Sequence, residues 1–316
     1  MRLPDFYIIG APKCGTNALY SYLRDHPGVY MPDLKEPHYF SRDFPGLAQV
    51  DDFQSYGKLF ASAAPETLAG EASVWYLYSD VAVPEIIRAN PAAKFVIALR
   101  NPIDMAHSLH AQFVRLLKDD VTDFEAAWRL QEQRRAGKQL PRYCPEPRCL
   151  QYRDVCSFGH QLDRVQRVVP PGQLKVCILE EFFRDVRRQY QDLLAFLGLE
   201  PDGREDFYVA NENKTVRNRA VLRLVSAAAS LLPGDLLRYR RAMRAWGIKP
   251  LRLLSRYNAV AASRTALRPE FRRILAEELA HDVQLLEALL GRHMTYWLEF
   301  DRGKMPASGV MADVRP

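Results

Sequence analysis

Two glycines with a lysine between them open the chain's chemistry, in the run Gly10-Ala11-Pro12-Lys13-Cys14-Gly15-Thr16-Asn17-Ala18. Backbone N–H groups of a tight glycine loop, and the positive end of a helix behind it, converge on one point and favour an anion there. A nucleotide triphosphatase loop sets a lysine directly after its second glycine, then a hydroxyl that holds Mg²⁺. Here Thr16 stands at the lysine position and Asn17 at the hydroxyl position, while Lys13 lies inside the loop. The usual magnesium ligand is missing, and the cation sits where it meets a departing phosphate. That pattern suits transfer of a group off a nucleotide without a divalent metal. A strand-to-helix turn with an incidental lysine is the alternative.

The second group of reactive residues is Lys35-Glu36-Pro37-His38-Tyr39-Phe40. Proline restrains the residue before it to extended backbone, so Glu36 is expected to be extended, its carboxylate held at a bend where a general base is useful. A solvated Lys35–Glu36 pair on a surface loop is the competing reading. The third group follows an apolar run: Arg100-Asn101-Pro102 marks a strand end and a helix start, and Ser108 falls about two turns into that helix. Ligands of open parallel sheets collect at the carboxyl ends of strands, and the planar guanidinium of Arg100 suits phosphate. A surface arginine and a capping serine are the alternative. His107 and His110 lie on the same helix, either as rival catalytic histidines or, as for most exposed helical histidines, without a task.

The elements that must position these groups are legible as periodicity. Phe6–Ile9 reads as a buried strand and Thr16 opens an amphipathic helix ending near Asp25, followed by a turn-rich link to Pro32. Leu68–Tyr76 reads as a strand turning into a helix, and Ala93–Leu99 as the clearest buried strand. Val121–Gly137 has helical spacing with Trp128 and Leu130 as core, Lys138–Leu150 is a proline-rich rim or lid, and Asp154–Val168 is a further helix. Gln173–Leu179 reads as a strand, and the helix from Arg187 to Leu197 is closed by Gly198. Leu236–Arg256 is basic and amphipathic: an acceptor surface, a membrane-surface helix or a solvated face. Pro269–Trp297 is expected to be one long helix, with Leu275, Leu279, Val283, Leu286 and Leu289 inward and disorder from Arg302 onward.

Taken in order, Gly10 to Leu19, Lys35 to Phe40 and Leu99 to Ser108 resemble the motifs of sulfotransferases that use 3′-phosphoadenosine-5′-phosphosulfate (PAPS), in the heparan-sulfate-type and related bacterial branch. The resemblance implies PAPS as co-substrate, with no metal. It implies that Pro12, Lys13, Cys14, Gly15, Thr16, Asn17 and Ala18 cradle the 5′-phosphate, and that Arg100 and Ser108 clamp the 3′-phosphate. Lys214 and Arg217, with Arg219 a weaker candidate, correspond to a basic loop over the nucleotide. By the same resemblance Glu36 takes the acceptor proton, His38 positions the acceptor, and Lys13 is catalytic as well as cofactor-binding. The family carries Glu-Lys-Ser where this chain has Glu71-Ala72-Ser73, so another cation is needed, Lys35 being the nearest by sequence. The expected fold is α/β, a P-loop-like central parallel sheet flanked by helices with a helical C-terminal addition. One domain is expected over residues 1–301, its helical part about 217–301, with 302–316 as a tail.

Bulk properties agree. The 316 residues, 48% hydrophobic and 26% charged, suffice for a sizeable core, and a net charge of +6 favours anionic partners. Five cysteines without a Cys-x-x-Cys pair argue against zinc. A Cys144–Cys149 bridge is conceivable, but free thiols are expected in a cytoplasmic, bacterial chain. No secretory signal or membrane span is evident. The expected partner is a carbohydrate, glycolipid or small-metabolite acceptor, not nucleic acid. The rivals are a nucleotide kinase or NTPase, which would need the missing lysine and hydroxyl, and a non-catalytic anion-binding module.

Overall fold

The computed structural model describes residues 2–207, 214–216, 259–261 and 266–299. Five parallel strands form the centre: β1 (Phe6–Gly10), β2 (Val29–Tyr30), β3 (Leu68–Ala72), β4 (Lys94–Leu99) and β5 (Leu174–Ile178), in the order β2-β3-β1-β4-β5. Phe6, Tyr7, Ile8 and Ile9 are all fully buried, as is Phe95 to Ile97 in β4. Strands covered on both faces read as unbroken apolar runs, which is why these two stood out in the sequence. β2 was not foreseen: it is two residues long, within the expected turn-rich link, and pairs with β3 through Val29 and Tyr30.

The helices α1 (Thr16–Arg24), α2 (Phe53–Lys58), α3 (Ala82–Ala89), α4 (Pro102–Arg115), α5 (Phe124–Arg129), α6 (Gln131–Arg135), α7 (Tyr152–Cys156), α8 (Phe158–Gln166), α9 (Leu179–Arg184) and α10 (Val186–Leu197) flank the sheet. The expected helix directly after β3 is replaced by turns, and α3 begins only at Ala82. The expected continuous helix over Val121–Gly137 is two short ones. Gln131 Nε2 donates to the Trp128 carbonyl at 2.8 Å, taking an acceptor the helix would need. Trp128 is core as expected, whereas Leu130 at the junction is half-buried. The Asp154–Val168 helix likewise divides at Ser157, and the acidic turn after β5 is helical.

A short antiparallel pair, β6 (Lys214–Val216) and β7 (Ala259–Ala261), is the described part of the region between α10 and the last helix. α11 (Pro269–Leu290) is shorter than expected because Gly291, at φ +63°, ends it in a left-handed residue. A 3₁₀ turn, Thr295–Leu298, follows. Leu275, Leu279, Val283 and Leu286 are buried as the spacing demanded, and Leu289 is partly buried. This C-terminal addition reaches the functional end of the sheet. Asn101 Nδ2 donates to the Trp297 carbonyl at 2.6 Å, and Arg272 pairs with Asp104 at 3.1 Å.

β1 is flanked by β3 and β4, which the chain visits in opposite directions, so the crevice of the sheet opens at the carboxyl end of β1. The glycine loop, the Lys35–Phe40 segment and Arg100 are all attached at that edge.

Candidate active site

The loop between β1 and α1 is built by position-specific backbone. Gly15 is the N-cap of α1 at φ +82°, and a Cβ there would lie 2.3 Å from Leu179 Cδ1. Only glycine meets both demands. α1 has no acidic residue in its first turn and no side-chain cap. Its first amides, which helix geometry leaves without carbonyl partners, therefore have no anion from the helix's own first turn. Lys13 is at φ +63°, a costly region for a lysine, and its carbonyl accepts from Arg100 Nη1 at 3.3 Å. That bond ties the strand-end arginine directly to the glycine loop. Cys14 is buried, and burial pushes its thiol up to about 12, so it stays neutral.

Arg100 is half-buried, and its Nε is buried with no hydrogen-bond partner among the described residues. Asn101 caps α4, its side chain accepting from the Ile103 and Asp104 amides, and Pro102 occupies the first helical position. Ser108 sits on the inward side of α4, 4% exposed. An arginine with an unsatisfied donor, tied to a glycine loop rich in amides, fits a polyanionic nucleotide. Among the described residues no group of three or more His, Cys, Asp or Glu is clustered as metal ligands.

Across from the loop lies the Lys35–Phe40 segment. Contrary to the expectation of extended backbone, Glu36 is at φ +61° and His38 at φ +53°. Tertiary hydrogen bonds override the proline effect. The Glu36 amide donates to the Ala72 carbonyl at 3.0 Å, and Gln49 Nε2 donates to the Glu36 carbonyl at 2.6 Å. The His38 amide donates to Ser73 Oγ at 3.2 Å and the Phe40 amide to Tyr76 Oη at 3.2 Å. Three of the five non-glycine residues with positive φ among the described residues are Lys13, Glu36 and His38. Backbone held in unfavourable regions gathers at the place where chemistry is expected.

The Glu36 side chain is 35% exposed and lies 3.5 Å from His38 Nε2 and 4.0 Å from Lys35 Nζ. Burial alone would raise its carboxyl, but the hydrogen bond and charge of His38, with Lys35 and Lys118, hold it below the ordinary carboxylate value. It is therefore ionised at neutral pH. Burial lowers the Lys35 ammonium, while Glu36 opposes that shift. Lys35 also donates to Asn17 Oδ1 on α1 and lies over the Tyr20 ring at 5.5 Å. The Lys35–Asn17 bond joins the Lys35–Phe40 segment to the glycine-loop helix.

The structure thus brings together the Pro12–Ala18 loop, Lys35, Glu36, His38 and Arg100 at one edge of the sheet. Lys214 lies in β6, with its side chain outside the described residues. Arg217, Arg219 and the Leu236–Arg256 stretch also lie outside them, as does the 302–316 tail. His110, expected as an exposed histidine, is 3% exposed and bonded to the Val121 carbonyl at 2.9 Å. Burial lowers its pKa, and it is a core residue. His107 rests beside the Phe124 ring at 5.2 Å. All five cysteines are free. The Lys138–Leu150 rim is strapped by Arg148, which bonds to Asp43 and Asp80, each at 3.1 Å.

Sequence reasoning missed several residues around Glu36. Glu71 in β3 is fully buried, accepting from Tyr56 Oη at 2.6 Å and Tyr76 Oη at 3.2 Å. Burial pushes its carboxyl up to about 7. Gln49 and Lys118, which act on Glu36 from other elements, were also missed. The signal for Glu71 was present: a charged residue inside a Leu-Ala-Gly-Glu-Ala strand of a parallel sheet is out of place unless it is satisfied there.

Comparison with known proteins agrees with this geometry. Residues 3–223 match the family model described as "Sulfotransferase domain". Human carbohydrate sulfotransferase 15 is 31% identical over a match covering 35% of this chain and 27% of that protein. Human heparan sulfate glucosamine 3-O-sulfotransferase 6 is 34% identical, over 35% of this chain and 31% of that protein. The chain thus spans less than a third of the length of either relative. A crystal structure of a sulfotransferase from Alicyclobacillus acidocaldarius superposes with a TM-score of 0.70 at 28% identity, covering 95% of this chain and 100% of that one. With the family model spanning most of its length and the glycine loop, strand-end arginine and Lys-Glu-Pro-His segment on one crevice, the chain belongs to the sulfotransferase domain family.

Proposed function

We propose that the protein transfers a sulfuryl group from PAPS to a hydroxyl or amine of an acceptor, a carbohydrate, glycolipid or small metabolite. PAPS supplies an activated sulfuryl group. The observation that carries this reading is the placement of an ionised carboxylate, Glu36, across from a glycine loop whose Lys13 carbonyl is held by Arg100.

Glu36 takes the proton of the attacking hydroxyl or amine as general base. His38, 3.5 Å away, orients that carboxylate and the acceptor. The loop amides, Lys13 and the Thr16 hydroxyl stabilise charge developing on the departing 5′-phosphate. Arg100 and Ser108 hold the 3′-phosphate, the planar guanidinium matching its oxygens. Lys35 stands in for the family cation absent at Ala72, since it is held between Glu36 and Asn17. Lys13, as the positive charge at the leaving group, takes the part that a magnesium ion plays in kinases. The names of the relatives, which are carbohydrate and heparan sulfate sulfotransferases, favour a sugar acceptor.

Thermal-shift measurement separates this reading from its rivals. Stabilisation by 3′-phosphoadenosine-5′-phosphate (PAP) without Mg²⁺ is expected, and selective stabilisation by ATP with Mg²⁺ would point to a kinase instead. Labelled PAPS incubated with a panel of glycans, lipids and small alcohols then identifies the acceptor. Retention of full turnover in Glu36→Gln would remove the base assignment, and absence of any transfer across the panel would favour an anion-binding module.

A further inference from the structure

We propose that Glu71 is a positioning residue for Glu36 and His38: through Tyr76 and Ser73 its buried carboxyl holds the backbone of the base-bearing segment against β3. The inference rests on the reading of Glu36 as base, but its first test does not.

The geometry is a chain of direct bonds through Tyr76, with Ser73 acting on the same carboxyl. Alternate amides of the segment, those of Glu36, His38 and Phe40, donate to the Ala72 carbonyl, Ser73 Oγ and Tyr76 Oη. Two of these three acceptors are hydroxyls, and a hydroxyl that accepts an amide proton must send its own proton elsewhere. Tyr76 sends it to Glu71 Oε2 at 3.2 Å, and Tyr56 donates to the same oxygen at 2.6 Å. The Ser73 hydroxyl acts on the same carboxyl and favours its ionised form, and Glu71 Oε1 has no hydrogen-bond partner among the described residues. The His38 ring meets Tyr76 edge-on at 6.0 Å, so the tyrosine that reads Glu71 also backs the imidazole beside Glu36. The Ser73 amide donates to the Ile8 carbonyl at 3.1 Å and the Leu77 amide to Ile9 at 2.8 Å, which fixes the same hydroxyls to the strand entering the glycine loop.

The charge of Glu71 matters because ionised acceptors bind hydroxyl protons about twice as strongly as neutral ones. The groups acting on it come from every neighbouring element: Tyr7 on β1, Tyr56 on α2, Ser73 and Tyr76 after β3, and Glu36 from the base segment, with His38 behind Tyr76. Burial raises its pKa to about 7, so the grip on the segment strengthens as pH rises through neutrality, a range in which Glu36 is already ionised.

Hydrogen–deuterium exchange of the full chain, corrected for intrinsic rates, reads this without an acceptor. In the parent, protection at the His38 and Phe40 amides is expected to rise between pH 6 and pH 8. In Glu71→Gln it should be lower by about fivefold at pH 8 and independent of pH, since an amide mimics the neutral acid. Tyr76→Phe should free Phe40 alone, and Ser73→Ala should free His38 alone, with the Glu36 amide unchanged in each. Parent-like exchange at both amides in Glu71→Gln, or an equal loss of protection along Phe6–Ile9, overturns the inference. With the acceptor found in the glycan panel, Glu71→Gln should lower kcat while PAP affinity by calorimetry stays at the parent value. A fall in PAP affinity matching that in kcat would mark a merely structural role. Full turnover in Glu36→Gln would sink the base reading alone, leaving the exchange pattern to judge Glu71.

Discussion

Around Lys13 and Arg100 the backbone is shaped by local devices, a glycine at φ +82° opening α1 and an asparagine cap with proline at the first turn of α4, and a single long-range bond from Arg100 to the Lys13 carbonyl joins the two. Around Glu36 the neighbours Lys35 and His38 set the charge, but its backbone is held from a distance. The residue's amide, its carbonyl and the amides two and four positions on are held by Ala72, Gln49, Ser73 and Tyr76, from two other parts of the chain. One side of the crevice is written into adjacent residues, and the other exists only when the sheet has formed. The first should be most sensitive to change within its own turns, and the second should fail by small losses at remote positions.

The largest expected effect breaks the chemistry and spares the nucleotide side. Glu36→Gln should lower kcat by about 10²–10⁴-fold, the usual worth of a positioned base, with PAP affinity unchanged by calorimetry. Arg100→Ala tests the opposite side. Loss of a charge-assisted phosphate contact should weaken PAP by about 1.5–3 kcal/mol, roughly 10–150-fold, and leave the pH dependence of kcat intact. Gly15→Ala attacks the local device itself. Its Cβ would fall 2.3 Å from Leu179 Cδ1 at a φ unsuited to alanine, so about 1–3 kcal/mol of stability should be lost, read as a fall in Tm of several degrees.

Stability against pH sharpens the contrast on the other side. Glu71 sits near 7 in the folded chain against 4.5 ordinarily because burial penalises its charge more than the hydroxyl bonds favour it, so although ionisation tightens those bonds its net contribution to stability is complete below 4.5 and lost as pH rises through about 7. Glu36, held below the ordinary value, has the reverse sign: its contribution is present above 4.5 and lost as pH falls through the folded value. Tm scans of parent and Glu71→Gln between pH 5 and 8 should therefore converge in slope only if the other groups dominate, and the Gln variant should lose the decline toward pH 8. The smallest effect is expected of Gln49→Ala, a fewfold loss in kcat from one neutral hydrogen bond to the Glu36 carbonyl.

What was legible in the sequence follows the same division. The glycine loop, the strand ending in Arg100 and the helix start at Pro102 announce themselves because residue type and conformation coincide there. The backbone of Glu36 did not, because the proline rule describes an isolated dipeptide, and long-range partners chose a left-handed conformation instead. The break between α5 and α6 was hidden for a similar reason, since a side chain at Gln131 competes for a carbonyl that helical spacing alone assigns to the helix. Glu71 was legible only as an anomaly, an acid within a buried strand.

The carbonyl of Trp297 bonded to Asn101 ties the last described turn to the neighbour of Arg100, the arginine proposed to hold the nucleotide. Shortening the chain to a point before Thr295 would leave all five strands in place yet orphan a buried side-chain amide beside Arg100. Such a truncated protein should keep its far-ultraviolet spectrum and lose its hold on PAP, making the tail end of the fold a determinant of affinity.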